Sequence, residues 1–238
     1  MCGTTARMRF PPGHTPLHWT NIGVHILFGS LALLFGLGAL LTPKGGRLHV
    51  RFGRGFLYTY SGVVLTATIG LLAFDFRSFL AVVTLLSFYD VFAGYRALRL
   101  RGARPRAIDN IASTLGFCAP WIFLALMWRL HRPWAPVLTW SILGGLIAFS
   151  SYDLLRNLLP SAWLRKVWVQ EHLVKMISAY VAITSAFAAT VFPRFMPWSA
   201  ILPSAVGYSV ACGFLLVGRR AWSGSRRFPT RSAAALPN

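Results

Sequence analysis

The sequence predicts an all-α polytopic membrane protein. The expected form is a bundle of seven transmembrane helices with its N-terminus outside and its C-terminus in the cytoplasm. Three observations predict it. Hydrophobic residues make up 55% of the 238 residues and charged residues only 12%, about half the charged share of a soluble domain. Seven apolar stretches of bilayer length are separated by short loops. The arginines and lysines crowd into every second loop.

A span needs about 20 apolar residues. Such stretches lie near 19–42, 56–74, 78–98, 109–129, 135–156, 171–191 and 198–218, which together form one transmembrane domain, 19–218. A short outer segment, 1–18, precedes it and a basic, disordered cytoplasmic tail, 219–238, follows it. Arg7 and Arg9 are not followed by the apolar core of a separate signal peptide, so span one is expected to stay. Pro43, Pro105, Pro133, Pro160 and Pro193 fall in or beside the loops, as breakers should. Asp75 and Arg77 are costly in hydrocarbon and read as a tight interfacial turn between spans two and three. Ser161–Gln170 carries Trp163, Trp168, Arg165 and Lys166 and reads as a short amphipathic helix along the inner interface, ahead of span six.

The orientation comes from the loops. Lys44, Arg47, Arg51 and Arg54 share one side with Arg96, Arg99, Arg101, Arg104 and Arg106. Arg156, Arg165, Lys166, Lys175 and the tail arginines join them there. The opposite side holds far fewer: Arg7, Arg9, Arg77, Arg129, Arg132 and Arg194. The richer side is expected in the cytoplasm, and the odd span count fits. Overall, 24 Lys and Arg face 5 Asp and Glu, a formal charge of +19. In a soluble chain that balance would point to nucleic acid. Beside bilayer-length spans it points instead to anionic headgroups at the cytoplasmic face of a bacterial inner membrane, with no nucleic-acid partner. Cys2, Cys118 and Cys212 form no C-x-x-C or haem-attachment motif, and Cys118 and Cys212, in apolar runs, read as small packing residues.

An ionisable group inside a span needs a partner or a role. Asp90 sits mid-span in helix three. Ser87 lies one turn before it, and Ala93, Gly94 and Ala97 follow as a small-residue face for a close helix neighbour. Arg96 points elsewhere, so a more distant cation is implied. His25, Gly29, Ala32, Gly36 and Ala39 form a single seam on span one. His25 therefore faces packed protein, either hydrogen-bonded to a carbonyl or serving as a ligand or proton relay in the outer half. In span six, His172, Lys175 and Met176 share a face, and Lys175 is placed to reach Asp90 or Asp153. Glu171 and His172 are expected to serve the helix start, and Asp153 and Arg156, at i and i+3, to form a local pair. His49 belongs to the glycine-bearing loop Lys44-Gly45-Gly46, either as part of a basic interfacial loop or as a ligand together with His172. His25 and His49 are separated by nearly a full span, about 30 Å, and cannot share one metal. Ser87-Phe88-Tyr89-Asp90 and Ser150-Ser151-Tyr152-Asp153 share an S-x-Y-D pattern on helices of like direction. That pattern reads as chance or as the trace of a duplicated unit.

These motifs together resemble an uncharacterised family of bacterial predicted membrane proteins. They are His25-x-x-x-Gly29, Lys44-Gly45-Gly46 with His49-x-x-x-Gly53-Arg54, Ser87-Phe88-Tyr89 with Gly94-Tyr95-Arg96, and Trp163-Leu164 leading to Glu171-His172-x-x-x-Met176. Related families carry His-Arg in the first cytoplasmic loop, where this chain has Val50 followed by Arg51. The resemblance implies a multi-span fold and no activity.

Function is expected to rest on Asp90, His172, Lys175, His49 and Asp153 as a buried polar site, with His25 in the outer half. The first reading is an unassigned inner-membrane protein, more a carrier or sensor of a small solute or protons than an enzyme, with no cofactor. The alternatives are a b-type haem redox protein using His49 and His172 and an intramembrane zinc hydrolase using His49, His172 and Asp90. An H-E-x-x-H or H-x-x-x-H pair, which would mark the latter, is missing.

Overall fold

The structure, a computed structural model, describes residues 15–74, 76, 78–131 and 136–224. Those residues form seven α-helices: α1 Pro16–Leu41, α2 Arg47–Ala73, α3 Ser78–Leu100, α4 Ala107–Arg129, α5 Pro136–Leu155, α6 Ser161–Val191 and α7 Trp198–Gly224. A single 3-10 turn, Pro193–Phe195, joins the last two, and no strand occurs among the described residues. Six of the helices are long and apolar enough to cross a membrane; in α5 the described apolar stretch is the shorter Ile142–Leu155.

Two helices begin earlier than hydropathy predicted. The first loop is only Thr42–Gly46, so His49 and the arginines 47, 51 and 54 ride on α2. Ser161–Gln170 is not a separate interfacial helix but the opening three turns of α6, with Pro160 just before it. Glu171 is therefore well inside α6 rather than at its start. The α7 helix continues to Gly224, into the stretch expected as tail. The turn residues Asp75 and Arg77, the segment 1–14 and the tail from 225 onward lie outside the described residues.

The bundle exposes large apolar side chains and buries several of its charged ones. Leu72, Trp128, Leu65, Ile122, Val206 and Leu216 stand largely exposed around the bundle, whereas Asp90, Asp153, Arg156, Glu171 and Lys175 are buried. Water would reverse that distribution, and lipid favours it. Serine and threonine hydroxyls on α2 return to the carbonyl one turn back, as Thr59 does to Gly55 at 2.8 Å and Ser61 to Leu57 at 2.8 Å. This satisfies them without water.

Contact registers make neighbouring helices antiparallel. Along α1 and α2, Phe35 meets Gly55 and Phe28 meets Gly62. Along α3 and α6, Gly94 meets Met176 and Gly102 meets Arg165. Val181 of α6 meets Gly207 of α7. The small-residue face of α3 does what its composition predicts: Ala93 and Ala97 are buried, and a Cβ on Gly94 would stand 2.7 Å from the Met176 sulfur. The seam on α1 holds in its middle, where Ala32 is buried and Gly36 lies against Tyr180. At Gly29 the space beside the helix is open. α3 packs against α2, α4, α5 and α6, which makes it the axis of the bundle.

All the loops that carry the dense basic residues come to one end of this bundle. There Lys44 closes α1, donating to the carbonyls of Leu40 at 2.5 Å and Ala39 at 3.2 Å, with its ammonium over the Phe214 ring. Partial desolvation holds that ammonium below its ordinary pKa. Thr42 bonds Gly38, so the last carbonyls of α1 are served by side chains.

Candidate functional site

Every carboxylate among the described residues (Asp90, Asp109, Asp153 and Glu171) lies buried on the α3–α6 elements. In a chain this poor in acid, that concentration defines the site. Three cations meet them from neighbouring helices.

The outermost pair stands at the basic end. Arg96 of α3 grips Asp109 of α4 with Nε and Nη2, at 2.5 and 2.7 Å. The Arg106 backbone N–H adds a third bond to the same carboxylate at 2.8 Å. Asp109 is thereby both the acid of the first turn of α4 and the anchor of α3. Arg156, just past the end of α5, comes within 3.3 Å of Glu171 of α6, in ion-pair range but not aligned for a hydrogen bond. Tyr152 donates its hydroxyl to the other oxygen of Glu171. Arg156 therefore pairs with the next helix rather than with Asp153, the local partner its spacing predicted.

Asp153 is taken instead by Lys175 of α6, whose ammonium is only 2% exposed as a residue. Tyr89 of α3 donates to the second oxygen of Asp153 at 2.7 Å. The two S-x-Y-D segments thus interlock: the tyrosine of the first binds the aspartate of the second. A narrow cleft lined by Arg96, Asp109, Ala93, Asp153, Arg156 and Lys175 leads in from the basic end to this pair.

Asp90 lies one helical turn beyond Ala93 on α3, and Ser178 one turn beyond Lys175 on α6. Both are therefore a turn deeper than the cleft floor, and Asp90 is about 15 Å from the basic end of α3. Asp90 is 0% exposed. Ser178 donates to its Oδ2 at 2.6 Å and stands 3.4 Å from the Tyr208 hydroxyl of α7. Its Oδ1 has no hydrogen-bond partner. The Tyr60 hydroxyl of α2, beside Ser87 and within electrostatic reach of Asp90, is likewise buried without an aligned partner. Lys175, the nearest cation by helix register, acts on Asp90 only through space. The carboxylates exceed the interior cations by one, and Asp90 is the one left to hydroxyls.

The histidines stand apart. Nδ1 of His49 donates to the Ala39 carbonyl at 3.0 Å, and Nδ1 of His172 to the Gly94 carbonyl at 2.9 Å. A carbonyl only accepts, so each bond fixes the proton on Nδ1. His49 is thereby another cap on the end of α1. His25 bonds Thr66 at 2.9 Å, joining α1 to α2 in the opposite half. Since the Thr66 hydroxyl already donates to Gly62, the histidine is the donor here too. Among the described residues no three His, Cys, Asp or Glu side chains gather as a metal would require. His49, His172 and Asp90 accordingly do not form the zinc set the sequence allowed.

Of the expected site residues, then, Asp90, Asp153 and Lys175 come together, while His49 and His172 serve backbone carbonyls at its edge. Tyr60, Ser178, Tyr208, Tyr89 and the Arg96–Asp109 pair complete the polar interior without having been expected there, and Glu171, expected to serve a helix start, lies buried among them. The chain matches no protein-family model, no curated protein and no solved structure.

Proposed function

We propose that this is a multi-pass inner-membrane protein that moves or senses protons, directly or with a small solute, by way of Asp90. In this reading the basic end faces the cytoplasm, as the positive-inside pattern favours. The observation that carries it is the contrast among the four buried carboxylates. Asp109, Asp153 and Glu171 each have a cation, whereas Asp90 has one serine donor and a free oxygen. An uncompensated carboxylate is costly in a bundle interior, so the form neutralised by a bound proton is favoured there, while a short path exists for that proton to leave. The path is the cleft ending at Lys175 and Asp153, one turn from Asp90. Proton relays inside membranes are built from such carboxylate and hydroxyl chains.

The test is proton movement in liposomes that hold the purified protein and a trapped pH dye, driven by a potassium diffusion potential in sodium-free solution. Wild type acidifies or alkalinises the lumen faster than empty liposomes; Asp90→Asn reduces that rate to background. Equal rates for wild type, Asp90→Asn and empty liposomes would remove the reading.

A further inference from the structure

We propose that the hydroxyl cluster around Asp90 binds a dehydrated monovalent cation of sodium size, in competition with the proton. The inference rests on the reading of Asp90 as the exchangeable site and names what else that site takes. Five oxygen-bearing groups from four helices gather in this region: the Asp90 carboxylate and Ser87 on α3, Tyr60 on α2, Ser178 on α6 and Tyr208 on α7. No nitrogen or sulfur ligand stands among them. An all-oxygen set is the preference of hard cations and not of transition metals.

Charge selects the valence. One carboxylate neutralises one positive charge, and the next anion, Asp153, is already held by Lys175 and Tyr89. A divalent ion would leave a net positive charge in the bundle interior, where an unpaired charge is costly. Calcium and magnesium sites also draw on more carboxylates or retain several waters. The hydroxyls remain able to bind: Ser178 spends its proton on Asp90 and still has oxygen lone pairs to offer, as do the two tyrosines.

The two oxygens without partners are the strongest sign. Asp90 Oδ1 and the Tyr60 hydroxyl are both buried without an aligned hydrogen-bond partner, and Tyr60 lies within electrostatic reach of Asp90. Native interiors rarely leave two such groups in one region without a partner to satisfy them. A proton on Asp90 satisfies the carboxylate alone, whereas a cation draws on the carboxylate and the hydroxyls together. Because both ligands neutralise the same carboxylate, each excludes the other.

The experiment is thermal unfolding of the full-length protein in detergent, at constant ionic strength, in sodium, potassium or choline chloride over a range of pH. Sodium is expected to raise the melting temperature above choline. The concentration giving half that effect should rise about tenfold per unit fall in pH once the proton dominates, as mass action requires. Asp90→Asn should abolish the sodium effect. Tyr60→Phe removes a hydroxyl that has Ser87 beside it but no aligned hydrogen bond, so the variant should fold normally and need about tenfold more sodium, the loss of one ligand. Equal melting in sodium and choline, or an undiminished sodium effect in Tyr60→Phe and Asp90→Asn, would overturn the cation site. The sodium-free liposome assay reads the proton reaction alone, so either idea can fail without the other.

Discussion

Lys175 gives its ammonium to Asp153 and leaves Asp90, one turn deeper, to the hydroxyl of Ser178. This division of partners separates a structural ion pair from an exchangeable carboxylate within a few ångströms of helix rise.

The structural half has a measurable cost. Lys175→Met leaves Asp153 buried with only the Tyr89 hydroxyl, and breaking a buried pair in this way costs about 3–5 kcal/mol. Removing both charges in Lys175→Met/Asp153→Leu should recover most of that loss. Denaturant unfolding in detergent checks both variants; equal stability of the single and double variants would speak against the pair.

Tyr89→Phe tests the interlocked motifs. It withdraws the 2.7 Å bond to Asp153 while Lys175 stays in place. The expected loss is about 1–3 kcal/mol, smaller than that of Lys175→Met. A loss larger than that of the lysine variant would mean that Tyr89, and not Lys175, is the main partner of Asp153.

Gly102 fixes the approach of α3 to the start of α6. Its φ is +80°, and an added Cβ would stand 2.5 Å from the Arg165 backbone. Gly102→Ala should therefore destabilise by about 1–3 kcal/mol or more, through strain and backbone contact together. Unfolding measurements equal to wild type would show that the loop has room to move.

Orientation can be read directly. In a chain with Cys2, Cys118 and Cys212 replaced by serine, Ala103→Cys should react with a membrane-impermeant maleimide only when the cytoplasmic face is open. Leu130→Cys, at the opposite end of α4, should react from outside. The reverse labelling would turn the protein over in the membrane and place the cleft on the outer side.

Much of this architecture was legible from composition. The central helix announced itself through Asp90 and the Ala93, Gly94, Ala97 face, because a buried charge and close packing leave small residues beside it. Helix starts were legible only where hydropathy rises abruptly. Arg47–Gly55 and Ser161–Gln170 are helical despite their basic residues, since those arginines and lysines sit near the bundle end, where long side chains reach polar surroundings. Partners were the hardest to read. Asp153 and Arg156 have the spacing of a local pair, yet each pairs with a charge on α6, because the order of helices around α3 brings Lys175 and Glu171 close to them. Spacing along one helix carries no information about which helix lies next to it. Tyr60, Ser178 and Tyr208 were hidden for the same reason: hydroxyls are common in spans, and only packing shows that these converge on Asp90.

The most direct measurement of the Asp90 assignment is infrared difference spectroscopy of the purified protein during a pH titration. A carboxylic-acid C=O band that appears on acidification, lost in Asp90→Asn and retained in Tyr89→Phe, is the expected result. A band that persists unchanged in Asp90→Asn, or no such band in wild type at any pH at which the protein stays folded, would contradict a proton-exchanging carboxylate at Asp90.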